Sequence, residues 1–509
     1  MAAKLRSTMK TKAYPVQEAG GFVWVWMGNP DQVTPFDKPN WATVPDDKIS
    51  IVKMHGACNW AQVLEGSIDS AHSSSLHSSN MPTATEVSGS TATDTAWLRP
   101  SADKAPRLEV QKTSFGFRYV AIRKPIVDAD ATDYIRMTLY VAPYTVHIPS
   151  NDQYHLSQML VPIDDENTMF YWVAWHPEKG ISTDAWRKFC GAEIGKDVEP
   201  ITFKKMRNAG NNYLQDRVAM KDGDFTGIYG IPAQDMAMWE SMGTLADRGD
   251  DRLGSSDKAI FTFRTQMYRA AQAVDYLARL MGVVSAIYTR DLNVRLEIPY
   301  MRLWTTPEDP WDQTEMGPQL DQFRGLWASS MRGVRRTLAH YLTFRGLGGG
   351  VAYIGVMCNY DYGFGLSSGV GGGFPYPLVM RSGRNWPVYV TAHELGHNFG
   401  TGHTHDSYDP PIDGCGNGDC SQAHNGTIMS YCHLCFRGMT NISLEFGPRV
   451  VERIQSYLDT VPPNCGLTGS VLFRRQPAAV TVRRGMPAVM SALASGPGVL
   501  TYHWARDGS

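Results

Sequence analysis

The sequence predicts a multidomain chain: an α+β domain built on an antiparallel sheet, then an α/β domain, then a partial β tail. Three observations lead there. The 509 residues exceed what one hydrophobic core usually serves. Strand-like patterns dominate residues 21–28, 114–123 and 133–176, with helical spacing confined to 59–71 and 232–243. Beyond about residue 272 the pattern changes, and helix and strand alternate along the chain. The expected boundaries are 1–30, 31–272, 273–465 and 466–509.

In the second half, Tyr276 to Tyr288 is apolar on one helical face, and Asp291 to Ile298 alternates like a strand. Residues 318–345 read as one long amphipathic helix, with Leu320, Phe323, Trp327, Met331, Val334, Leu338 and Leu342 three or four apart. Gly346-Leu-Gly-Gly-Gly is expected to end it, and Val351 to Cys358 to form a short strand. Gly363 to Gly373 is glycine-rich without a following Lys-Ser/Thr, so it predicts a loop and not a phosphate cradle.

Composition narrows the function classes. A net charge of −2 gives no electrostatic case for nucleic acid or an anionic membrane surface. No uninterrupted apolar run approaches the roughly 18 to 20 residues of a membrane span. The first ten residues are basic without an apolar segment, so no secretory signal is expected there and the compartment stays unassigned. Six of the eight cysteines fall between Cys358 and Cys465. They suggest three disulfides in an oxidising environment, the alternative being reduced thiols or half a zinc knuckle at Cys432-x-x-Cys435.

The chemistry of the first half lies in Asn59-Trp-Ala-Gln-Val-Leu-Glu65-Gly-Ser-Ile-Asp69-Ser-Ala-His72-Ser-Ser-Ser-Leu-His77. Two histidines five apart can converge on one ion if a turn joins them. A carboxylate from elsewhere then makes a 2-His-1-carboxylate triad with positions left open on Fe(II). Asn-x5-Glu-x3-Asp-x2-His-x4-His resembles the iron-site signature of Rieske-type aromatic-ring-hydroxylating oxygenases, in particular the phthalate dioxygenase-like branch. Lys10 to Gly28 resembles the end of that family's Rieske domain, so residues 1–30 read as its remnant. Gly230-Ile-Pro-Ala-Gln-Asp235-Met-Ala-Met-Trp-Glu resembles the segment that supplies the iron carboxylate. The resemblance, over about residues 10–272, implies an oxygenase catalytic domain over 31–272 with His72, His77 and Asp235 as iron ligands. It implies that Asp69 hydrogen-bonds a ligand histidine and passes electrons between subunits of a homo-oligomer. It also implies an aromatic acid and O2 as substrates and a reductase as electron donor. The family's [2Fe–2S] cluster needs Cys-x-His and Cys-x-x-His pairs. None occurs before Cys58, so those ligands are absent here.

The second half carries Thr391-Ala-His393-Glu394-Leu-Gly-His397-Asn-Phe-Gly400-Thr-Gly-His403. On a helix His393 and His397 are i and i+4, so both imidazoles project from one face toward one ion. Gly400 allows the sharp turn that returns His403 as a third ligand. Glu394 is placed as general base for a zinc-bound water. This is the signature of the metzincin zinc endopeptidases, and Gly426-Thr-Ile-Met429-Ser-Tyr431 is similar to their Met-turn. The resemblance covers 273–465 and implies Zn2+ and a peptide or protein substrate. It makes Met429 the structural methionine, Tyr431 an extra ligand or oxyanion stabiliser, and strand 351–357 the edge that pairs with substrate. Thr404 stands where subfamilies place an acid, which leaves the subfamily open, and His405 is expected to be solvated. Asn425-Gly-Thr and Asn441-Ile-Ser match the glycosylation sequon, with a glycan expected to fit poorly beside the Met-turn.

Residues 476–508 resemble the opening strands of an immunoglobulin-like module, with Trp504 as its buried tryptophan, so 466–509 reads as an incomplete module. Two functions follow: a zinc-dependent metalloendopeptidase, fused to an Fe(II) oxygenase catalytic domain. The alternatives are oxygenation as the principal activity with an inactive protease half, or a chimeric reading frame joined near 270–276 with neither half fully active.

Overall fold

The computed structural model describes residues 13–27, 33, 35–84, 98–149, 154–249, 251–304, 310–462, 465, 472–475 and 493–495. The chain divides into two compact units, one comprising mainly residues up to 271 and the other mainly residues from 272 onward. The ends of the Lys10–Gly28 segment and most of the tail, Trp504 included, lie outside the described residues.

In the first unit a hairpin of β1 (Val16–Ala19) and β2 (Phe22–Val25) precedes β3 (Ile49–Gly56). Asn59 then opens helix α1 (Trp60–Ser67), its side chain accepting from the Ala61 amide at 2.9 Å. The strands β4 (Arg107–Thr113), β5 (Gly116–Arg123), β6 (Tyr134–Val141), β7 (Thr145–Ile148), β8 (His155–Pro162) and β9 (Thr168–Trp175) follow. With β3 they make a seven-stranded sheet ordered β3-β9-β8-β7-β6-β5-β4, every pair antiparallel. Alternation gives the sheet its buried face: Phe117, Tyr119 and Ala121 of β5 point into one core with Val63 and Leu64 of α1. Helices α2 (Thr183–Cys190), α3 (Arg217–Lys221) and α4 (Ile231–Ser241) complete the unit, and α4 adds Met236 and Trp239 to that core. The strand and helix readings for the first half match these elements.

Helix α5 (Lys258–Leu292) carries the chain from one unit into the other. Among the described residues, the stretch Ser255–Leu292 is long and apolar enough by length and composition to cross a membrane. The sequence showed no such run because the Asp275–Arg279 ion pair interrupts it. Leu280, Val284, Ile287 and Tyr288 are buried in the core of the second unit.

The long helix expected over 318–345 is a correction: α6 runs only from Met316 to Ser330. Ser329 and Ser330 turn their hydroxyls back onto the Leu326 carbonyl, and after Met331 the chain re-forms as strand β10 (Ala339–Leu342). Leu338, just before this strand, and Leu342, at its end, pack against the core of the second unit. The strand expected at 291–298 does not form either. The Leu296 amide is taken by the Ser285 hydroxyl at 3.0 Å, which leaves the segment with a side-chain partner and no strand beside it. Strand β11 is shorter than expected, Gly350–Ala352. With β12 (Phe364–Ser367) it forms a mixed sheet ordered β10-β12-β11, parallel between β10 and β12 and antiparallel between β12 and β11. Helices α7 (Trp386–Asn398) and α8 (Pro448–Leu458) complete the second unit. Its six cysteines form Cys358–Cys465, Cys415–Cys432 and Cys420–Cys435, while Cys58 and Cys190 in the first unit are free and buried. In the tail, β13 (Leu472–Arg475) and β14 (Leu493–Ser495) pair antiparallel.

Helix α1, which leads into the turn of His72 and His77, is tied down electrostatically. Glu65 receives a bidentate pair from Arg264 of α5, at 2.8 and 2.9 Å, and a third contact from Arg248 at 2.9 Å. Glu65 is buried while the two arginines keep access to water, so Glu65→Ala is expected to cost about 2 kcal/mol, read as a lower urea midpoint for the first unit.

Candidate metal centres

In the first unit, α1 ends at Ile68 and the chain enters a tight turn from Asp69 to His77 that swings both histidines against α4. Their Nε2 atoms lie 3.2 Å apart. Asp235, on the buried side of α4, places Oδ1 3.1 Å from His77 Nε2 and 3.4 Å from His72 Nε2. Three donors about 3 Å apart match adjacent corners of an octahedron at metal–ligand distances near 2.1 Å. Asp69 sits behind His72, its Oδ2 3.4 Å from Nδ1 and its Oδ1 accepting from the Ala71 amide at 2.7 Å. Burial works against a charge on His72, yet the Asp235 and Asp69 carboxylates outweigh it and hold this imidazole up at about 10. Burial also opposes the Asp235 carboxylate, but His77 and His72 beside it keep its pKa below the usual range. The environment favours positive charge between these groups, as a divalent cation site requires.

Nothing in the sequence marks the second support. His77 Nδ1 faces the Gln234 side-chain oxygen at 2.7 Å, both residues being fully buried. Nor did it mark the arginines. Ser73 and Ser74 of the metal loop line a small cavity with Arg99, Arg123, Tyr134 and Arg136. Strand register explains the cluster: Arg123 of β5 pairs with Tyr134 of β6, and Arg136 lies two residues along on the same face. Burial, and then the charge of Arg136, push the Arg123 pKa down.

In the second unit, α7 is buried from Pro387 to Asn398, so its histidines are held within the core. His393 Nδ1 donates to the Ile428 carbonyl at 2.6 Å and His397 Nδ1 to the Thr401 carbonyl at 2.8 Å. Each Nε2 lone pair is thereby turned to the open side of the helix. Gly400, at φ +90°, takes the turn, and His403 Nε2 arrives 3.1 Å from His397 Nε2. Tetrahedral zinc at about 2.0–2.1 Å spaces its nitrogen ligands by roughly 3.3 Å. The three histidines therefore fit that ion. Burial pushes His397 down to about 4, and lowers His393 and His403 as well, so all three stand as neutral donors. Glu394 is buried, its pKa is raised by burial, and its Oε2 has no hydrogen-bond partner.

Met429 lies directly beneath this helix. A side chain at Gly396 would meet its sulfur at 2.7 Å, and the Met429 carbonyl accepts from the Thr404 amide at 3.2 Å. Tyr431, two residues on, sets its ring 4.4 Å from that of His403 and 6.0 Å from that of His393. His405 is a correction: it is buried, stacked on His403 at 5.3 Å and packed against Gly416, not solvated. The sequons divide: Asn425 is exposed, whereas the buried Asn441 amide donates to the Cys432 and Phe436 carbonyls.

Fold and sites together define a two-part metalloenzyme chain, an oxygenase catalytic region followed by a metallopeptidase region. The comparisons agree. Residues 25–295 match the family described as LigXa C-terminal domain like, more than half the chain, and the chain belongs to that family. Residues 260–443 match metallo-peptidase family M12. A phthalate 4,5-dioxygenase oxygenase subunit from Pseudomonas putida is 49% identical over 311 residues, which cover 61% of this chain and 69% of that protein. A 3-chlorobenzoate-3,4-dioxygenase oxygenase subunit from Comamonas testosteroni is 30% identical, covering 53% of this chain and 64% of its own length. The zinc metalloproteinase-disintegrin-like brevilysin H2a of Gloydius brevicauda is 28% identical over 203 residues, 38% of this chain and 44% of that protein. The chain thus spans between under half and about two thirds of these relatives.

At Gly400 an added Cβ would meet the Tyr457 ring at 2.4 Å, besides straining the positive φ. Gly400→Ala is expected to displace His403 and lower zinc affinity by at least about tenfold, measured by competition with a chromogenic chelator.

Proposed function

We propose that the second unit is a zinc-dependent endopeptidase. The observation that carries this is the pinning of two Nδ1 atoms on backbone carbonyls, which turns His393 and His397 toward the point where His403 Nε2 arrives, beside an unpartnered Glu394. His393, His397 and His403 would hold the ion through Nε2. Zinc supplies Lewis acidity and brings the pKa of a bound water to about 7. Glu394 takes the proton of the attacking water and returns it to the leaving amine. The Tyr431 hydroxyl donates to the substrate carbonyl oxygen as negative charge develops there. Strand β11, at the sheet edge, offers backbone groups to an extended peptide. The three disulfides persist only in an oxidising environment, so the assay omits reductant. Glu394→Gln is expected to retain zinc and lower casein cleavage by about 10^2- to 10^4-fold. Unchanged cleavage, or cleavage insensitive to chelator, refutes the reading.

The first unit we read as a mononuclear Fe(II) oxygenase domain acting on an aromatic carboxylic acid. His72, His77 and Asp235 would hold the ion, and Fe(II) with open positions supplies O2 activation. The arginine cavity beside the loop takes the substrate carboxylate. Asp69, 3.4 Å from His72 Nδ1, relays electrons that a partner subunit and its reductase deliver. Asp235→Ala is expected to abolish Fe(II) binding. Arg136→Met should weaken binding of a benzene dicarboxylate by about 10- to 100-fold, with its dimethyl ester unaffected in the same titration. Equal loss for acid and ester removes the carboxylate assignment.

A further inference from the structure

We infer that Gln234 is the positioning residue that fixes the tautomer and ring orientation of His77 for a metal ion, an amide counterpart to the Asp69 carboxylate behind His72. The inference rests on the iron reading of the first unit. A glutamine amide has one oxygen end and one nitrogen end, and at most positions its orientation is open to reversal. At Gln234 it is not. The Nε2 group donates to the Asn80 side-chain oxygen and to the Ile228 carbonyl, each at 2.8 Å. Ile228 O can only accept, and reversing the amide would set the Gln234 oxygen against it. Gln234 Oε1 must therefore point at His77, 2.7 Å from Nδ1.

An amide oxygen cannot give a proton, so His77 Nδ1 must carry one. The neutral ring then bears its lone pair on Nε2, the atom 3.1 Å from Asp235 and 3.2 Å from His72 Nε2. Burial makes the arrangement rigid: Gln234 is 1% exposed and His77 3% exposed, so water has no access to replace the acceptor. The order of residues on α4 explains how one helix does both tasks, since Asp235 supplies the third donor and its neighbour Gln234 orients the second. The two histidines thus differ by design. His72 is backed by an anion and His77 by a dipole, which limits the negative charge placed around the ion.

The test uses the full chain with His393→Ala and His397→Ala, which removes the other three-histidine group, and Co(II) alone as probe. Competition titration gives the affinity, and proton NMR of the Co(II) form shows one hyperfine-shifted exchangeable N–H for each ligated imidazole. Gln234→Leu is expected to weaken Co(II) binding by about 10- to 100-fold and to lose the His77 N–H signal while keeping that of His72. Gln234→Glu, which restores an acceptor, is expected to keep both signals and stay within a few-fold of the parent. Should Gln234→Leu fail to fold by circular dichroism, Asn80→Leu frees one end of the amide and is expected to broaden the same signal. Parent affinity and both N–H signals in a folded Leu variant, or Glu behaving as Leu does, would overturn the inference while leaving the iron reading intact. Co(II) binding unaffected by Asp235→Ala in this background would overturn both.

Discussion

Both candidate centres depend on one constraint: a buried imidazole is aimed at a shared point by committing its other nitrogen to a fixed acceptor, as His393, His397 and His77 do. In the second unit the acceptors are the backbone carbonyls of Ile428 and Thr401. In the first the acceptor is the Gln234 side chain behind His77, while the Asp69 carboxylate stands 3.4 Å from His72 Nδ1. The consequence for the fold is that the elements beneath the histidines matter as much as the histidines. Ile428 belongs to the Met-turn, so the turn that packs Met429 under Gly396 also orients the first ligand. The turn between α7 and His403 contributes Thr401, so the chain reversal that brings in the third ligand also orients the second.

Holding these groups in place uses the strongest packing in the second unit. Helix α7 is buried around nearly its whole surface, with Val388, Ala392 and Leu395 in the core and His393, Glu394 and His397 among them. Burying polar groups this deeply is costly unless each finds a partner. Asn398 does so, donating to the Tyr353 and Phe364 carbonyls at 2.9 Å and so joining the helix to strand β12. Glu394 Oε2 does not. Asn398 Oδ1 and Thr391 Oγ1 are likewise without a partner, so among these buried groups Glu394 is set apart by its place beside the three histidines and not by being unsatisfied. The disulfides Cys415–Cys432 and Cys420–Cys435 then fasten the loops that flank the Met-turn, which have no sheet of their own to hold them.

Much of this was legible because local spacing determines it. His393 and His397 share a helical face at any i, i+4 separation, and a glycine at 400 is what a reversal with positive φ needs. The first-half strands read correctly because their alternation is uninterrupted and their buried face is real. The failures are equally local in cause. Periodicity carried the predicted helix past Ser330 because Leu338 and Leu342 keep helical spacing while lying just before and at the end of strand β10. The strand reading at 291–298 saw alternation but could not see the Ser285 hydroxyl that takes the Leu296 amide. Gln234 and the arginine cluster lie beyond such reasoning. Which residue backs His77, and whether Arg123 faces Arg136, is decided by contacts 157 residues apart in one case and by strand register in the other.

The two centres share a device but differ in charge, and the difference accounts for the different ions proposed. In the first unit two carboxylates, Asp235 beside the histidines and Asp69 behind one of them, keep the His72 environment favourable to positive charge. Carboxylate with imidazole suits an iron ion that must change oxidation state, because anionic donors stabilise the higher charge. In the second unit the three donors are neutral and burial lowers their proton affinity. An ion held there keeps nearly its full positive charge for the substrate side, which is what polarising a peptide carbonyl demands. Gln234 fits the same logic from the other direction. A second carboxylate behind His77 would add negative charge to a site that already has two, and lower the potential of the ion further. An amide orients the ring without doing so.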